Sequence, residues 1–125
     1  MSLKVMIVDD SLIMVQKLSV LARELGCEVL RTCKTGTDAV RDYPLVKPDL
    51  VMMDITMPGM DGIEATQKIV SADSRARVIM VTSHGQQAMV VRALEAGALG
   101  YVLKPVTKER LQAMIDRAMK RAVAL

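Results

Sequence analysis

Five polar side chains that could handle a phosphoryl group each stand directly after a short apolar run of the sequence. Asp9 and Asp10 follow the first run, Asp54 the third, Thr82 the fourth and Lys104 the fifth. Three carboxylates brought close together repel one another unless a cation neutralises them, and an oxygen-rich ligand set favours Mg²⁺. Bound Mg²⁺ also takes a phosphoryl oxygen, and an ammonium and a hydroxyl can bind the other two. A carboxylate nucleophile in such a site forms an aspartyl phosphate.

The elements that must position these residues alternate along the chain. Apolar runs predict five strands, at Lys4–Val8, Glu28–Thr32, Asp49–Met53, Arg77–Val81 and Gly100–Leu103. Apolar residues at helical spacing predict five helices between and after them, around Met14–Leu25, Thr37–Asp42, Gly62–Ser71, Gln86–Ala96 and Leu111–Ala118. This alternation is typical of an α/β fold with a doubly wound parallel sheet. Because the runs are apolar throughout, we predict that the strands are buried on both faces.

Turn residues support these boundaries. Gly26 and Gly97 stand where helices are expected to stop, and the prolines are predicted to mark the connections, at Pro44, Pro48, Pro58 and Pro105. In an open α/β sheet, ligands bind at the carboxyl ends of the strands. The polar residues that follow the runs are therefore expected to converge on one rim of the sheet.

Composition excludes several classes of protein. The 125 residues fit a single domain, and 51% apolar against 25% charged residues is the balance of a globular protein. No apolar run is long enough for a membrane span or a signal peptide. Cys27 and Cys33 are interpreted as reduced thiols, and with a single His no zinc site is expected, so we predict a cytoplasmic protein.

The net charge of +3 is concentrated at the C-terminus, where residues 104–125 carry six Lys or Arg against two acidic residues. A basic helix of this kind suits nucleic acid or an acidic partner, but it is more often a solvated face. We therefore expect no direct nucleic acid binding by this chain.

Taken together, four segments resemble response-regulator receiver domains of the CheY type. They are VMIVDDS at 5–11, VMMDITMPGMDG at 51–62, VTS at 81–83 and AGALGYVLKP at 96–105. The resemblance covers essentially the whole chain, and it implies the strand order 2-1-3-4-5 of that fold. It also implies a two-component signalling protein that takes a phosphoryl group from a histidine kinase.

Residue by residue, the resemblance makes Asp54 the phosphoacceptor. Asp9 and Asp10 match the acidic pair that holds Mg²⁺, with Asp10 the more direct ligand and Asp9 acting largely through water. The backbone carbonyl of Thr56 matches a third protein ligand, and Lys104 matches the lysine that pairs with the phosphoryl group. Before phosphorylation, Lys104 is expected to pair with Asp54.

The resemblance also assigns a switch. Thr82 matches the switch hydroxyl and Tyr101 the switch aromatic, and Pro105 stands where a cis bond is common in the family. Thr56 and His84 occupy positions that tune self-dephosphorylation, and His84 is interpreted as a solvent-exposed loop residue. Gly59 and Gly62 are interpreted as glycines that the PGMDG turn needs for its backbone torsion angles.

The leading interpretation is a stand-alone, chemotaxis-like receiver domain over residues 1–125, a monomer or a phosphorylation-dependent dimer. Its output is expected to reach a downstream protein through the surface of the fourth helix, fifth strand and fifth helix. The alternative is a receiver cut from a larger DNA-binding regulator. A phosphatase with an Asp nucleophile would need a second Asp at position 56, which is Thr56 here, and a flavin protein would need more aromatics. The chain is thus expected to be a phosphoacceptor rather than an enzyme, with at most Mg²⁺-dependent self-phosphorylation and self-dephosphorylation.

Overall fold

The computed structural model describes the backbone of residues 2–83 and 86–124 and the side chains of residues 2–83 and 86–120. Five strands alternate with five helices, in the order β1 Leu3–Val8, α1 Leu12–Glu24, β2 Cys27–Cys33, α2 Gly36–Val46, β3 Leu50–Met53, α3 Gly62–Ala72, β4 Val78–Thr82, α4 Gln87–Glu95, β5 Gly100–Leu103 and α5 Lys108–Ala124. The strands form one parallel sheet with the order β2-β1-β3-β4-β5. The predicted fold class and strand order are therefore confirmed.

Alternate residues of the central strands enter two separate apolar layers. On one face, Met6, Met53 and Met80 pack with side chains of α2, α3 and α4. On the other face, Ile7 and Ile79 pack with side chains of α1 and α5. Because both faces are covered, residues 5–8 of β1, the whole of β3 and residues 78–81 of β4 are continuous apolar runs, as the sequence predicted.

The two edge strands depart from that prediction. Glu28, Arg31 and Thr32 of β2 are exposed, and Tyr101 and Leu103 of β5 keep 40% and 37% of their surface open to solvent. An edge strand has a neighbour on one side only, and the covering helices do not extend over all of its outer surface. The expectation that all five strands are buried on both faces was wrong for β2 and β5.

Helix ends follow local capping rules. The Ser11 hydroxyl accepts a hydrogen bond from Met14 N at 3.3 Å at the start of α1, and Gly26 after its end has φ +87°. Pro44, predicted to mark a connection, instead lies inside α2. It falls in the last turn, where the helix continues to Val46 and closes with a bond from Lys47 N to the Tyr43 carbonyl oxygen at 2.9 Å.

Both cysteines are free, as expected, and the structure also buries them. Within residues 2–83 and 86–124, no helix has the length and apolar character that crossing a membrane requires.

Candidate functional site

Backbone hydrogen bonds extend the sheet one residue beyond the strands and so align the polar residues. Asp9 N donates to the Cys33 carbonyl oxygen at 3.0 Å, and Asp54 N donates to the Val8 carbonyl oxygen at 2.9 Å. Lys104 N donates to the Thr82 carbonyl oxygen at 2.8 Å. These bonds hold the residues that follow the strands at one carboxyl rim, where the sequence predicted them.

Three carboxylates meet at this rim. One oxygen each from Asp9, Asp10 and Asp54 lies within 4.8 Å of the others. Asp9 and Asp54 are buried, at 1% and 6% exposure, whereas Asp10 is open to solvent. A compact, oxygen-only donor set with one open side fits Mg²⁺, which keeps several waters when it is held by carboxylates. The residues present are thus suited to the predicted ion.

Lys104 supplies positive charge to this cluster. Its Nζ lies 3.0 Å from Asp9 Oδ2 and 3.5 Å from Asp54 Oδ1. The predicted pairing with Asp54 is present, but Asp9 is the closer partner, which sequence reasoning did not foresee. The other Asp9 oxygen accepts a hydrogen bond from Ser11 N at 2.9 Å, so that backbone donor orients the carboxylate. The Asp-x-Ser spacing at the start of α1 could have indicated this hydrogen bond between Ser11 N and Asp9.

Burial and like charge act on Asp54 in the same direction. Desolvation is the larger cause and the Asp9 carboxylate the next, and together they raise the pKa of Asp54 to about 6. The Lys104 ammonium lowers the pKa of Asp54, and the Asp10 carboxylate raises it to a smaller extent. Asp54 is therefore mostly ionised at neutral pH, yet its charge is costly in the folded state.

The segment that follows Asp54 folds back onto it. Gly62 N donates to the Ile55 carbonyl oxygen at 2.7 Å, and the Asp61 side chain caps α3 by accepting from Glu64 N at 2.9 Å. A Cβ on Gly62 would overlap the carbonyl oxygen of Asp54, so close approach requires this glycine. The expectation that torsion angles require it is wrong for Gly62, but it holds for Gly59, which has φ +74°.

The other described residues of the predicted site lie in β4 and β5 or in the segments that follow β3 and β5. Thr82 is fully buried at the end of β4, and Tyr101 lies in β5, paired in register with Met80. Thr56 lies exposed in the segment after β3, and the bond between Lys104 and Pro105 is cis. His84 lies outside the described residues.

Comparisons with known proteins agree with this geometry. The family model described as "Response regulator receiver domain" matches residues 5–116. The chain is 41% identical over 118 residues to the chemotaxis protein CheY of Listeria monocytogenes, which covers 94% of this chain and 99% of that protein. It is 39% identical over 120 residues to the CheY of Thermotoga maritima, with 96% and 100% covered.

Solved structures show the same likeness. One example is the crystal structure of the CheX–CheY–BeF₃–Mg²⁺ complex from Borrelia burgdorferi. Its matching chain has a TM-score of 0.90 and 33% sequence identity, with 94% of this chain and 89% of that chain covered.

Proposed function

Because this chain belongs to the response regulator receiver family, we propose that Asp54 accepts a phosphoryl group from a phosphohistidine of a histidine kinase. The observation that carries the proposal is the contact of Lys104 with Asp9 and Asp54, the two buried members of the acidic cluster. A structural ion pair needs one carboxylate, whereas this ammonium lies between two, beside a third. One ammonium against three carboxylates leaves a net negative charge, so the cluster suits a divalent cation, together with a phosphoryl group whose oxygens that cation and the ammonium can both bind.

The proposed transfer forms one bond and breaks one bond. An Asp54 carboxylate oxygen attacks phosphorus, the phosphorus–nitrogen bond to the kinase imidazole breaks, and the imidazole keeps the electron pair. Asp9, Asp10, Asp54 and the Thr56 carbonyl would hold Mg²⁺, which when bound supplies neutralising charge to the phosphoryl oxygens. Lys104 then leaves its carboxylate partners in part and donates to a phosphoryl oxygen.

We propose that the chemistry is read out through β5. The Thr82 hydroxyl would turn toward the phosphoryl group, and the half-exposed Tyr101 ring would move inward into the space released. Both changes border the surface of α4, β5 and α5, which exposes the large apolar side chains of Val91, Leu94, Tyr101 and Leu103. A downstream protein would bind this surface.

The pathway follows from the relatives. The curated relatives named above are chemotaxis proteins, and the solved CheY neighbour is bound to the protein CheX. We propose a stand-alone receiver (residues 1–125) in a chemotaxis-like cytoplasmic pathway, a monomer or a phosphorylation-dependent dimer. The alternative, a receiver cut from a DNA-binding regulator, is not favoured, because the curated relatives named above are chemotaxis proteins.

The proposal is tested by incubating the chain with acetyl phosphate and Mg²⁺ and measuring its mass. We expect one added phosphoryl group that hydroxylamine removes, none on Asp54→Asn, and the wild-type result on Asp61→Asn, which alters only a helix cap. Asp10→Ala should lose the dependence on Mg²⁺ together with most of the labelling. A label retained by Asp54→Asn would refute the assignment.

A further inference from the structure

A cavity lies at the end of the sheet opposite to Asp54. It has a volume of about 440 Å³ and opens between the C-terminal halves of α2 and α3 and the segments that precede β3 and β4. Its apolar wall includes Val40, Tyr43, Pro44 and Ile69. A volume of this size is in the range that small organic ligands occupy. None of the residues assigned to phosphoryl transfer lines it.

The rim of this cavity has an excess of positive charge. Four basic residues line it, Lys47, Lys68, Arg75 and Arg77, against the two acidic residues Asp49 and Asp73. Both acidic side chains already accept hydrogen bonds. Asp73 accepts from the Tyr43 hydroxyl at 3.1 Å and from Arg75 N at 3.0 Å, and Asp49 accepts from Lys4 N at 2.8 Å. No ion pair within 4.0 Å joins the four cations to any residue in 2–83 or 86–124.

Arg77 carries the second observation. Its Nε is shielded from solvent and has no hydrogen-bond partner among the described residues, although the side chain lines the cavity. A buried charged donor without an acceptor is costly, and such groups are rare in folded proteins. An anion in the cavity that drew the guanidinium group toward itself would remove this cost.

We infer that the cavity between α2 and α3 is a binding site for a small organic anion, a carboxylate or phosphate joined to a planar apolar body. The guanidinium group of Arg77 presents two parallel N–H donors that match the oxygens of either head group. The apolar body would lie between Tyr43 and Ile69, where it would displace water from their apolar surfaces. Lys47 and Lys68, exposed at the rim, add favourable charge without being buried.

The test uses 2-naphthoate and 2-naphthyl phosphate as probes and the uncharged 2-naphthamide as their matched control. Binding to the full chain is followed by chemical-shift changes in ¹H–¹⁵N spectra. We expect the shifts to centre on Tyr43, Ile69 and Arg77. The amide should bind more weakly than the anions by a factor of about ten or more. The tighter of the two anions identifies the head group.

Variants distinguish binding in the cavity from nonspecific binding to the protein surface. Arg77→Gln should weaken naphthoate binding about tenfold, whereas Arg23→Gln, an exposed arginine on α1, should leave it unchanged. Lys68→Gln alters only an exposed side chain and should weaken binding to a smaller extent, so it serves if Arg77→Gln does not fold. The inference fails if no anion binds, if the amide binds as tightly, if the shifts centre elsewhere, or if neither folded cavity variant weakens binding.

Discussion

The surroundings of Asp54 oppose the ionised form of its carboxylate. Burial and the Asp9 carboxylate favour its protonated form, and Lys104 only partly compensates. The same arrangement that makes the carboxylate costly in the folded chain makes it responsive to any cation that rebalances the charge. At the scale of single residues, the proposed phosphoacceptor is therefore a residue whose charge lowers the stability of the fold.

That cost predicts a pH-dependent gain in stability for Asp54→Asn without metal. The pKa of Asp54 rises from 3.8 to about 6 on folding, so the folded chain binds the proton more tightly than the unfolded chain. The stability that this carboxyl contributes is fully present below pH 4 and is lost as pH rises through about 6. Above pH 7, the asparagine variant should be more stable by as much as about 3 kcal/mol.

Urea unfolding in EDTA between pH 4 and pH 8 measures this difference. The gain of Asp54→Asn over wild type should be small at pH 4 and should grow until about pH 7. Asp61→Asn, which retains a helix-capping side chain, should show no such trend. A difference that stays constant across this range would show that Asp54 does not titrate as described.

At the scale of elements, the turn between β3 and α3 depends on two glycines for different reasons. Gly62→Ala should lower the free energy of unfolding by about 2–3 kcal/mol, because its Cβ would overlap the backbone of Asp54. A Cβ at Gly59 would have no atom within 4 Å. Gly59→Ala should therefore cost only the strain of φ +74°, which is about 1 kcal/mol. Urea unfolding of both variants compares the two costs, and equal losses would contradict the close approach.

The end of α2 offers a gain in stability. Lys47 has φ 51° and ψ 58°, a left-handed conformation that is unfavourable for residues other than glycine. Lys47→Gly should raise the free energy of unfolding by up to about 1 kcal/mol, since the relief of strain exceeds the entropy that glycine loses. Lys47→Ala removes the charge but retains the strain, so it should show no gain. If both variants gain equally, the strain is not the cause.

The elements were predictable where a local pattern decides them. Strands β1, β3 and β4 are built on continuous apolar runs, and their bounds lie within about one residue of those predicted. The edge strand β2 is less apolar, and α2 runs past Pro44 because packing and a C-terminal bond, rather than local propensity, decide its end. In the site, the rim followed from topology, whereas the closer approach of Lys104 to Asp9 depends on side-chain orientation.

At the scale of the whole molecule, the sheet joins the acidic rim to the surface of α4, β5 and α5. Lys104 N bonds to the Thr82 carbonyl oxygen, and Lys104 lies three residues after Tyr101 in the same segment. The proposed switch would therefore couple charge at Asp54 to exposure of Tyr101 through one strand end. The cavity between α2 and α3 lies at the other end of the sheet, outside this connection.

This connection predicts that Lys104→Ala separates phosphoryl binding from the switch. The chain has two tyrosines, so 3-fluorotyrosine labelling gives ¹⁹F signals for Tyr43 and Tyr101 alone. With Mg²⁺ and beryllofluoride as phosphoryl mimic, the wild-type Tyr101 signal should shift as the ring is buried, and the bound fluorides give their own signals. Lys104→Ala should still bind beryllofluoride but leave Tyr101 exposed, a loss of about 1–3 kcal/mol of coupling. Lys108→Ala, an exposed lysine at the start of α5, should behave as wild type. A full Tyr101 shift in Lys104→Ala would exclude Lys104 from the switch.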